Sequence, residues 1–475
     1  VTFSRLLPVL GALCLTATPA LAGPLDDGHV GSLGFSGPTT SDVTALYWNP
    51  AALGLIQDYQ LIVAGSLQIA SATVQRSAID ANSGAPGGSS GFPSASGRGV
   101  RHPLAWPPGP GGFVGVGASI GRRFAIAVGA YAPFAQRMTF DASATGDQPL
   151  RYHLVRVDTQ ETALVTGLAI HAAESLQLGA AMGFLLSSGH LVFDENTSLG
   201  AENSATAARY DLASDGVQRV SPFVSGGIHY RRGRLDVGLS YTTAPLGTSG
   251  AVHLPIERSQ LALQQGSVCS SPNDRCLTGQ IEYKLPGYLI GGATWHASPR
   301  LSVTGILRWL RYGSHDRLSM RVVGPTGTAL GTTTPDTIAL YRGFQDSWDL
   351  RARVIYAVSP WLRLSGTMRG ETSAVPAANL NAGAIDGLKF EPSLAVELSL
   401  WGRVRLEAGY ALAWMRPSSG GETFDPTAAA ACAQAAGDLS TPACRQRLAG
   451  TARPSAAGRY ELVQHTLAVL TKVSF

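Results

Sequence analysis

Charge is scarce in this chain: 14% of its 475 residues are Asp, Glu, Lys or Arg, against about 25% in an ordinary soluble domain. With 45% hydrophobic residues, that deficit places much apolar surface somewhere other than in one large dry core. Long apolar runs are missing as well. Beyond the N-terminal leader no stretch approaches the roughly 18 apolar residues that a membrane-crossing helix needs, which excludes a helical membrane protein. The 36 Lys and Arg residues are scattered, and the formal charge of +4 loses one unit when Arg5 is removed with the leader. No basic cluster offers a footprint for nucleic acid. The ten His residues, His153, His171, His229 and His296 among them, form no H-E-x-x-H and no group at metal-ligand spacing. No metal and no cofactor is expected.

Cysteine is nearly absent too. Cys14 lies in the leader, and the remaining four fall into two local pairs, Cys269 with Cys276 and Cys432 with Cys444. Both pairs lie in segments rich in Ser, Pro, Asp and Gly, so two loop disulfides formed in an oxidising compartment are expected. Zinc is disfavoured because no His or Cys stands beside them at ligand spacing.

What the sequence does contain begins with a leader. Residues 1–22 carry one positive charge at Arg5, an apolar stretch from Leu6 to Leu15 and the small-x-small end Ala20-Leu21-Ala22. This reads as a secretory signal peptide cleaved after Ala22. The rest is dominated by segments of about ten residues in which apolar side chains alternate with small or polar ones, the pattern of a strand with lipid on one face and a lumen on the other. Leu235, Val237, Leu239 and Tyr241 alternate with Asp236, Gly238, Ser240 and Thr242, and Val404 to Trp414 repeats the pattern.

Short polar turns near 121–123, 173–174, 231–233, 298–300, 359–360 and 402–403 join these segments into six hairpins, and long stretches rich in Gly, Ser, Thr and Pro separate the hairpins. Short turns on one rim and long loops on the other is the outer-membrane pattern. Six hairpins with one strand before and one after predict a 14-stranded antiparallel transmembrane β-barrel. Its strands are expected near 59–72, 112–121, 123–133, 158–172, 175–189, 217–231, 234–249, 281–297, 300–312, 346–358, 361–372, 388–400, 403–415 and 462–475. The last strand ends on Phe475, and a C-terminal aromatic on an alternating strand resembles the signal read by the barrel insertion machinery. Trp295, Trp309, Trp348, Trp401 and Trp414 near strand ends fit interfacial aromatic girdles.

Residues 23–58 are too short for a globular domain and too apolar for a free linker. A fourteen-stranded barrel is wider than the eight strands whose lumen side chains alone can fill, so this segment is expected as an N-terminal plug, or hatch, inside the lumen, with the barrel at 59–475. Within it, Thr44-Ala45-Leu46-Tyr47-Trp48-Asn49-Pro50-Ala51-Ala52-Leu53 resembles the NPA-containing hatch motif of the FadL-type family of outer-membrane channels for long-chain fatty acids and other hydrophobic compounds. Gly129 to Phe134, Leu150 to Tyr152, Leu176 to Gly183, Leu239 to Thr242, Leu285-Pro286 and Gly409-Tyr410 extend the similarity along nearly the whole chain.

The resemblance implies a monomer in the outer membrane of a Gram-negative bacterium, surrounded by outer-membrane lipid and lipopolysaccharide. It implies passive uptake of a long-chain fatty acid or related hydrophobic molecule, bound in the lumen, blocked by the plug and released sideways through the wall. An aromatic-hydrocarbon or other xenobiotic channel of the same fold is the alternative; a general porin and an outer-membrane lipid enzyme are further ones. Asn49, Pro50 and Ala51 are the expected gating residues. Pro50 fixes φ and Asn49 can bond neighbouring backbone, either to brace the plug against the wall or to cap a short helix starting at Pro50.

Inward positions carry Arg351, Arg353, Arg363, Arg369 and Arg405, near Asp349, Glu371 and Glu407. Guanidinium groups suit a carboxylate head group, but a ladder of cross-strand ion pairs that holds the barrel together is the preferred reading. Gly117 to Gly121 matches G-x-S-x-G, but a nucleophile elbow needs a helix after the strand, and here a second strand follows. No catalytic residues are expected.

Overall fold

The computed structural model describes residues 29–77, 95–101, 104–105, 112–121, 123–140, 156–196, 207–213, 219–246, 251–256, 258–263, 266–267, 278–315, 317–323, 337–341, 343–421 and 456–475. The leader and the four loop cysteines lie outside the described residues.

Fourteen strands form the wall: β1 (Gln60–Arg76), β2 (Phe113–Ile120), β3 (Phe124–Phe140), β4 (Arg156–Ala173), β5 (Leu176–Asn196), β6 (Arg219–Arg232), β7 (Leu235–Thr242), β8 (Tyr288–His296), β9 (Leu301–Leu310), β10 (Ser347–Ser359), β11 (Leu362–Glu371), β12 (Lys389–Leu400), β13 (Val404–Met415) and β14 (Gly458–Ser474). Each pairs antiparallel with the next. The sheet closes where β14 meets β1, in continuous register from Gln60 opposite Ser474 to Arg76 opposite Gly458. Closure removes the exposed edges that an open sheet would leave in lipid.

The side-chain distribution is that of a soluble protein turned inside out. Leu164, Leu168, Met182, Val224, Leu239, Leu350, Leu394 and Leu467 are exposed on the outer face, whereas Gln68, Gln177, His229, Arg308 and Asp349 are buried inside. Strand β7 shows the alternation without a break, Leu235 outward and Asp236 inward through to Tyr241 and Thr242. Three of the hairpin turns on the short-turn rim use left-handed backbone. Gly121 and Gly233 have φ of 62° and 60°, and Trp401 and Gly402 have 50° and 68°, the positive pair that a type I′ turn requires.

All fourteen expected strands are present, with shifted ends. Strand β3 runs on to Phe140 and β5 to Asn196, because backbone pairing continues above the apolar band where lipid no longer demands alternation. The strand expected over 234–249 ends at Thr242, and the one expected over 281–297 starts at Tyr288. Pro286 has no amide proton to continue the ladder, and Thr278–Lys284 belongs to a separate four-stranded sheet with Ala251–Ile256, Arg317–Val323 and Thr337–Tyr341. The long-loop rim thus carries paired structure of its own where only loops were expected.

Candidate functional site

Residues from His29 to Ile56 pack on the inner wall. A one-turn helix, α1 (Ala45–Trp48), is followed by a 3-10 turn over Pro50–Leu55, and nearly every residue of both is buried. Local chemistry dictates this shape. Asp42 Oδ1 accepts from the Thr44 amide at 2.9 Å and from its hydroxyl at 2.5 Å, which opens the helix. Asn49 is extended, at φ −168° and ψ 103°, so the helix stops there. Its Oδ1 accepts from Ala51 N at 3.1 Å, and Pro50 occupies the first position of the next turn, where a missing amide proton costs nothing.

Asn49 spends its remaining hydrogen-bonding capacity on fixing the plug. Nδ2 donates to the Pro38 carbonyl within the plug and to the Ile228 carbonyl of β6, each at 3.0 Å. The Ser240 hydroxyl of β7 donates to Trp48 O at 2.6 Å. The wall makes room by omitting side chains: a Cβ added to Gly227 would overlap Asn49 Oδ1, one at Gly238 would overlap Pro38 O, and one at Gly179 would overlap Ala51 N. Gly179 and Gly227 stand opposite each other in register, as do Gly238 and Gly292. The plug backbone approaches within contact of a bare patch of wall spread over four strands.

On the other side the plug rests on charge. Asp349 is fully buried and is bonded by Arg308 at 3.0 Å, Arg351 at 2.5 Å and Arg369 at 3.0 Å. Arg308 also donates to Tyr47 OH at 2.8 Å, and the Arg351 guanidinium lies 5.2 Å from the Trp48 ring. Arg353 donates to Ser36 O at 2.7 Å; Arg363 pairs with Glu397 and lies 5.0 Å from the Phe35 ring. Arg369 continues to Glu371 and Glu391, Lys389 bridges Glu371 and Asp386, and His29 meets Glu391 at 2.6 Å.

Four of the five arginines picked from the sequence therefore face acids or plug backbone. The fifth, Arg405, is exposed and lines a polar cavity of about 180 Å³ on the short-turn side of the plug, with Thr39, Asp42, Arg353, Glu407 and Lys472. Arg308, at the heart of the network, escaped the sequence reading although it has inward parity with Thr304 and Ile306.

The long-rim face of the plug is aromatic. Tyr47 meets Trp48, Tyr131 and Tyr288 with ring centroids 5.1, 5.3 and 5.6 Å apart; Phe113 stacks on Tyr131 at 6.2 Å, and Phe134 meets Tyr288 at 6.4 Å. This cluster adjoins an irregularity in the wall. The register of β3 against β4 jumps between Tyr131 and Phe134, at Ala132 and Pro133, whose ring has no donor. On its other edge β3 pairs with β2 only as far as Tyr131 opposite Phe113, and pairing resumes at Thr139 and Phe140, opposite Val100 and Gly99 of the segment Ala95–Arg101. Among the described residues, 132–138 have no strand partner on that edge. The G-x-S-x-G run forms the end of the β2–β3 hairpin, with Ser119 donating to Gln57 O at 2.7 Å, so no nucleophile elbow exists there.

A closed barrel with an internal plug and a seam beside it directs comparison to outer-membrane transporters. The family profile described as Outer membrane protein transport protein (OMPP1/FadL/TodX) matches residues 24–423. The chain belongs to this family. It is an outer-membrane channel protein of the FadL/TodX family for hydrophobic compounds, located in the outer membrane of a Gram-negative bacterium. Among solved structures, a FadL homologue of Pseudomonas aeruginosa superposes with a TM-score of 0.70 at 14% identity, covering 97% of this chain and 100% of that one. The toluene transporter TbuX of Ralstonia pickettii gives 0.56 at 14%, covering 96% and 98%, and the toluene transporter TodX of Pseudomonas putida gives 0.56 at 12%, also covering 96% and 98%. At these identities the superpositions establish the shared fold. A search of curated protein sequences gives no match.

Proposed function

We propose that this FadL/TodX-family channel takes up long-chain fatty acids or related hydrophobic molecules passively. The molecule enters from the long-loop side, packs on the aromatic floor formed by Tyr47, Tyr131 and Tyr288, and leaves sideways through the seam between β2 and β3. The observation that carries this reading is that, among the described residues, 132–138 of β3 have no strand partner on the edge beside that floor. Sideways exit spares an apolar molecule the polar cavity beneath the plug, which lateral release into the bilayer avoids. Asn49, Pro50 and Ala51 hold the gate shut, and no cofactor or energy-coupling group takes part. The protein acts as a monomer and is not an enzyme.

The choice of ligand turns on the arginines. Arg351, Arg363 and Arg369 are matched by buried carboxylates, and Arg353 is committed to plug backbone. A second carboxylate, from a fatty acid, would compete at these four with partners already in place, and Arg405 lines the polar cavity rather than the aromatic floor. That favours a neutral hydrophobe, such as an aromatic hydrocarbon, as the second reading.

The test is to denature the purified, detergent-solubilised protein and identify co-purified lipids by mass spectrometry, beside a variant lacking residues 23–58. A stoichiometric fatty acid or hydrocarbon present in the full barrel and lost from the truncated one supports the proposal and names the class. Absence of ligand from both, with the truncated form merely conducting ions, contradicts it in favour of a porin.

A further inference from the structure

The short-turn rim carries a second arrangement, on the outside of the barrel and remote from the lumen. Arg232 and Arg234 flank the β6–β7 turn and Arg300 ends the neighbouring β8–β9 turn, and all three are exposed. The two turns are tied together: Arg234 Nη1 donates to Ala297 O at 3.1 Å, and His296 N donates to Arg234 O at 2.8 Å. Asp236, the acid of these two hairpins, faces the lumen, where it pairs with Arg231 and His296. Glu174, on the adjacent β4–β5 turn, forms no ion pair with the three arginines. Arg232, Arg300 and the part of the Arg234 guanidinium not engaged by Ala297 remain exposed on one sector of the rim.

The lipid-facing surface next to them has a matching shape. Arg232, Leu235, Trp295, Val303 and Val354 follow one another in register across β6 to β10 on the outer face. Trp295 is 55% exposed in this row, with the exposed Tyr356 one step toward the rim and the exposed Tyr230 one step into the bilayer, so the interface where such rings settle runs along it. One step further into the bilayer the register row is Ala293, Gly305 and Ala352. A Cβ at Gly305 would meet nothing within 4 Å. Leu239 and Leu307 stand beyond this row of small residues on the hydrocarbon side, and Trp295 closes it at the interface. The result is a shallow apolar furrow that opens beneath a cluster of arginines.

We infer that this sector binds an anionic phospholipid of the inner leaflet, its phosphate held by Arg232, Arg234 and Arg300 and an acyl chain lying in the furrow over Ala293, Gly305 and Ala352. Guanidinium forks pair bidentately with phosphate oxygens, and basic side chains at a membrane surface favour anionic headgroups. The small residues give the chain a seat directly beneath the arginines.

The experiment is native mass spectrometry of the delipidated protein in non-ionic detergent, titrated with phosphatidylglycerol. The triple variant R232Q/R234Q/R300Q should bind the lipid roughly a hundredfold more weakly, as the combined loss of three surface arginines implies. The R232Q/R300Q double variant spares the Arg234 bond to Ala297 and should lose part of the same affinity, with heat-modifiable gel mobility confirming the fold. Ala293→Leu fills the furrow without altering charge and should weaken binding too. The control R123Q/R403Q, on other turns, should bind like the parent. Equal binding by parent and triple variant, or equal loss in the control, overturns the assignment. Displacement of the lipid by millimolar inorganic phosphate also overturns it, since the site would then hold a free anion rather than a lipid.

Discussion

The Asn49 amide of the plug and the Ile228 carbonyl of β6 are joined by a 3.0 Å hydrogen bond across the inner wall, although Ile228 itself turns its side chain to lipid. A single side chain thus stops one helix, caps the next turn and ties both to the barrel. Replacing it with alanine leaves Ala51 N, Pro38 O and Ile228 O each short of a partner in a buried place. Asn49→Ala should loosen the plug by about 1–3 kcal/mol per group left unsatisfied. Planar-bilayer recordings should then show openings that the parent lacks, while gel mobility of the folded barrel is retained.

The bare wall patch makes a second prediction with its own control. Gly227 and Gly226 are neighbours, but a Cβ on Gly227 strikes Asn49 whereas one on Gly226 meets nothing within 4 Å. Gly227→Ala should overpack the interface by about 1–3 kcal/mol and raise protease access to the plug. Gly226→Ala should match the parent in the same digestion.

Asp349 is the acid on which three arginines converge, so its loss should be more costly than that of any one of them. Asp349→Leu removes the carboxylate shared by Arg308, Arg351 and Arg369 from a buried site, an effect of about 3–5 kcal/mol for a broken buried pair. Thermal unfolding followed by heat-modifiable mobility should show a larger drop for Asp349→Leu than for Arg351→Gln.

Much of this molecule was legible in the chain itself. Strand β7, from Leu235 to Thr242, declares both its faces by alternation, and the turns at Gly121, Gly233 and Gly402 are marked by residues that tolerate positive φ. The plug segment was legible because its apolar residues had no other surface to cover. The site was legible only in pieces. Inward parity picked Arg351 and Arg369, yet whether they face a ligand or Asp349 depends on registers between β9, β10 and β11 that no local pattern encodes. Arg308 had the same parity and stands between Trp309 and Leu307, which drew it into an apolar-looking run. The seam was the least visible feature. Pro133 inside a strand is a signal for a bulge, but what the described residues pair with on the other edge depends on where Ala95–Arg101 and Leu104–Ala105 meet β1, far away in sequence.

Lateral release through that seam is the central claim, and it separates binding from passage. Deleting Pro133 leaves Ala132 alone opposite Thr162, removes the register jump against β4 and replaces the proline with a residue whose amide can join a regular ladder on β3. The direct measurement is uptake of a labelled hydrophobic ligand by cells or proteoliposomes carrying this deletion, with ligand binding to the purified barrel measured in parallel. The account predicts binding within about twofold of the parent, a difference well below 1 kcal/mol, together with uptake reduced to the level of a barrel-free control. Unimpaired uptake through the repaired wall would contradict it and place the exit through the plug instead.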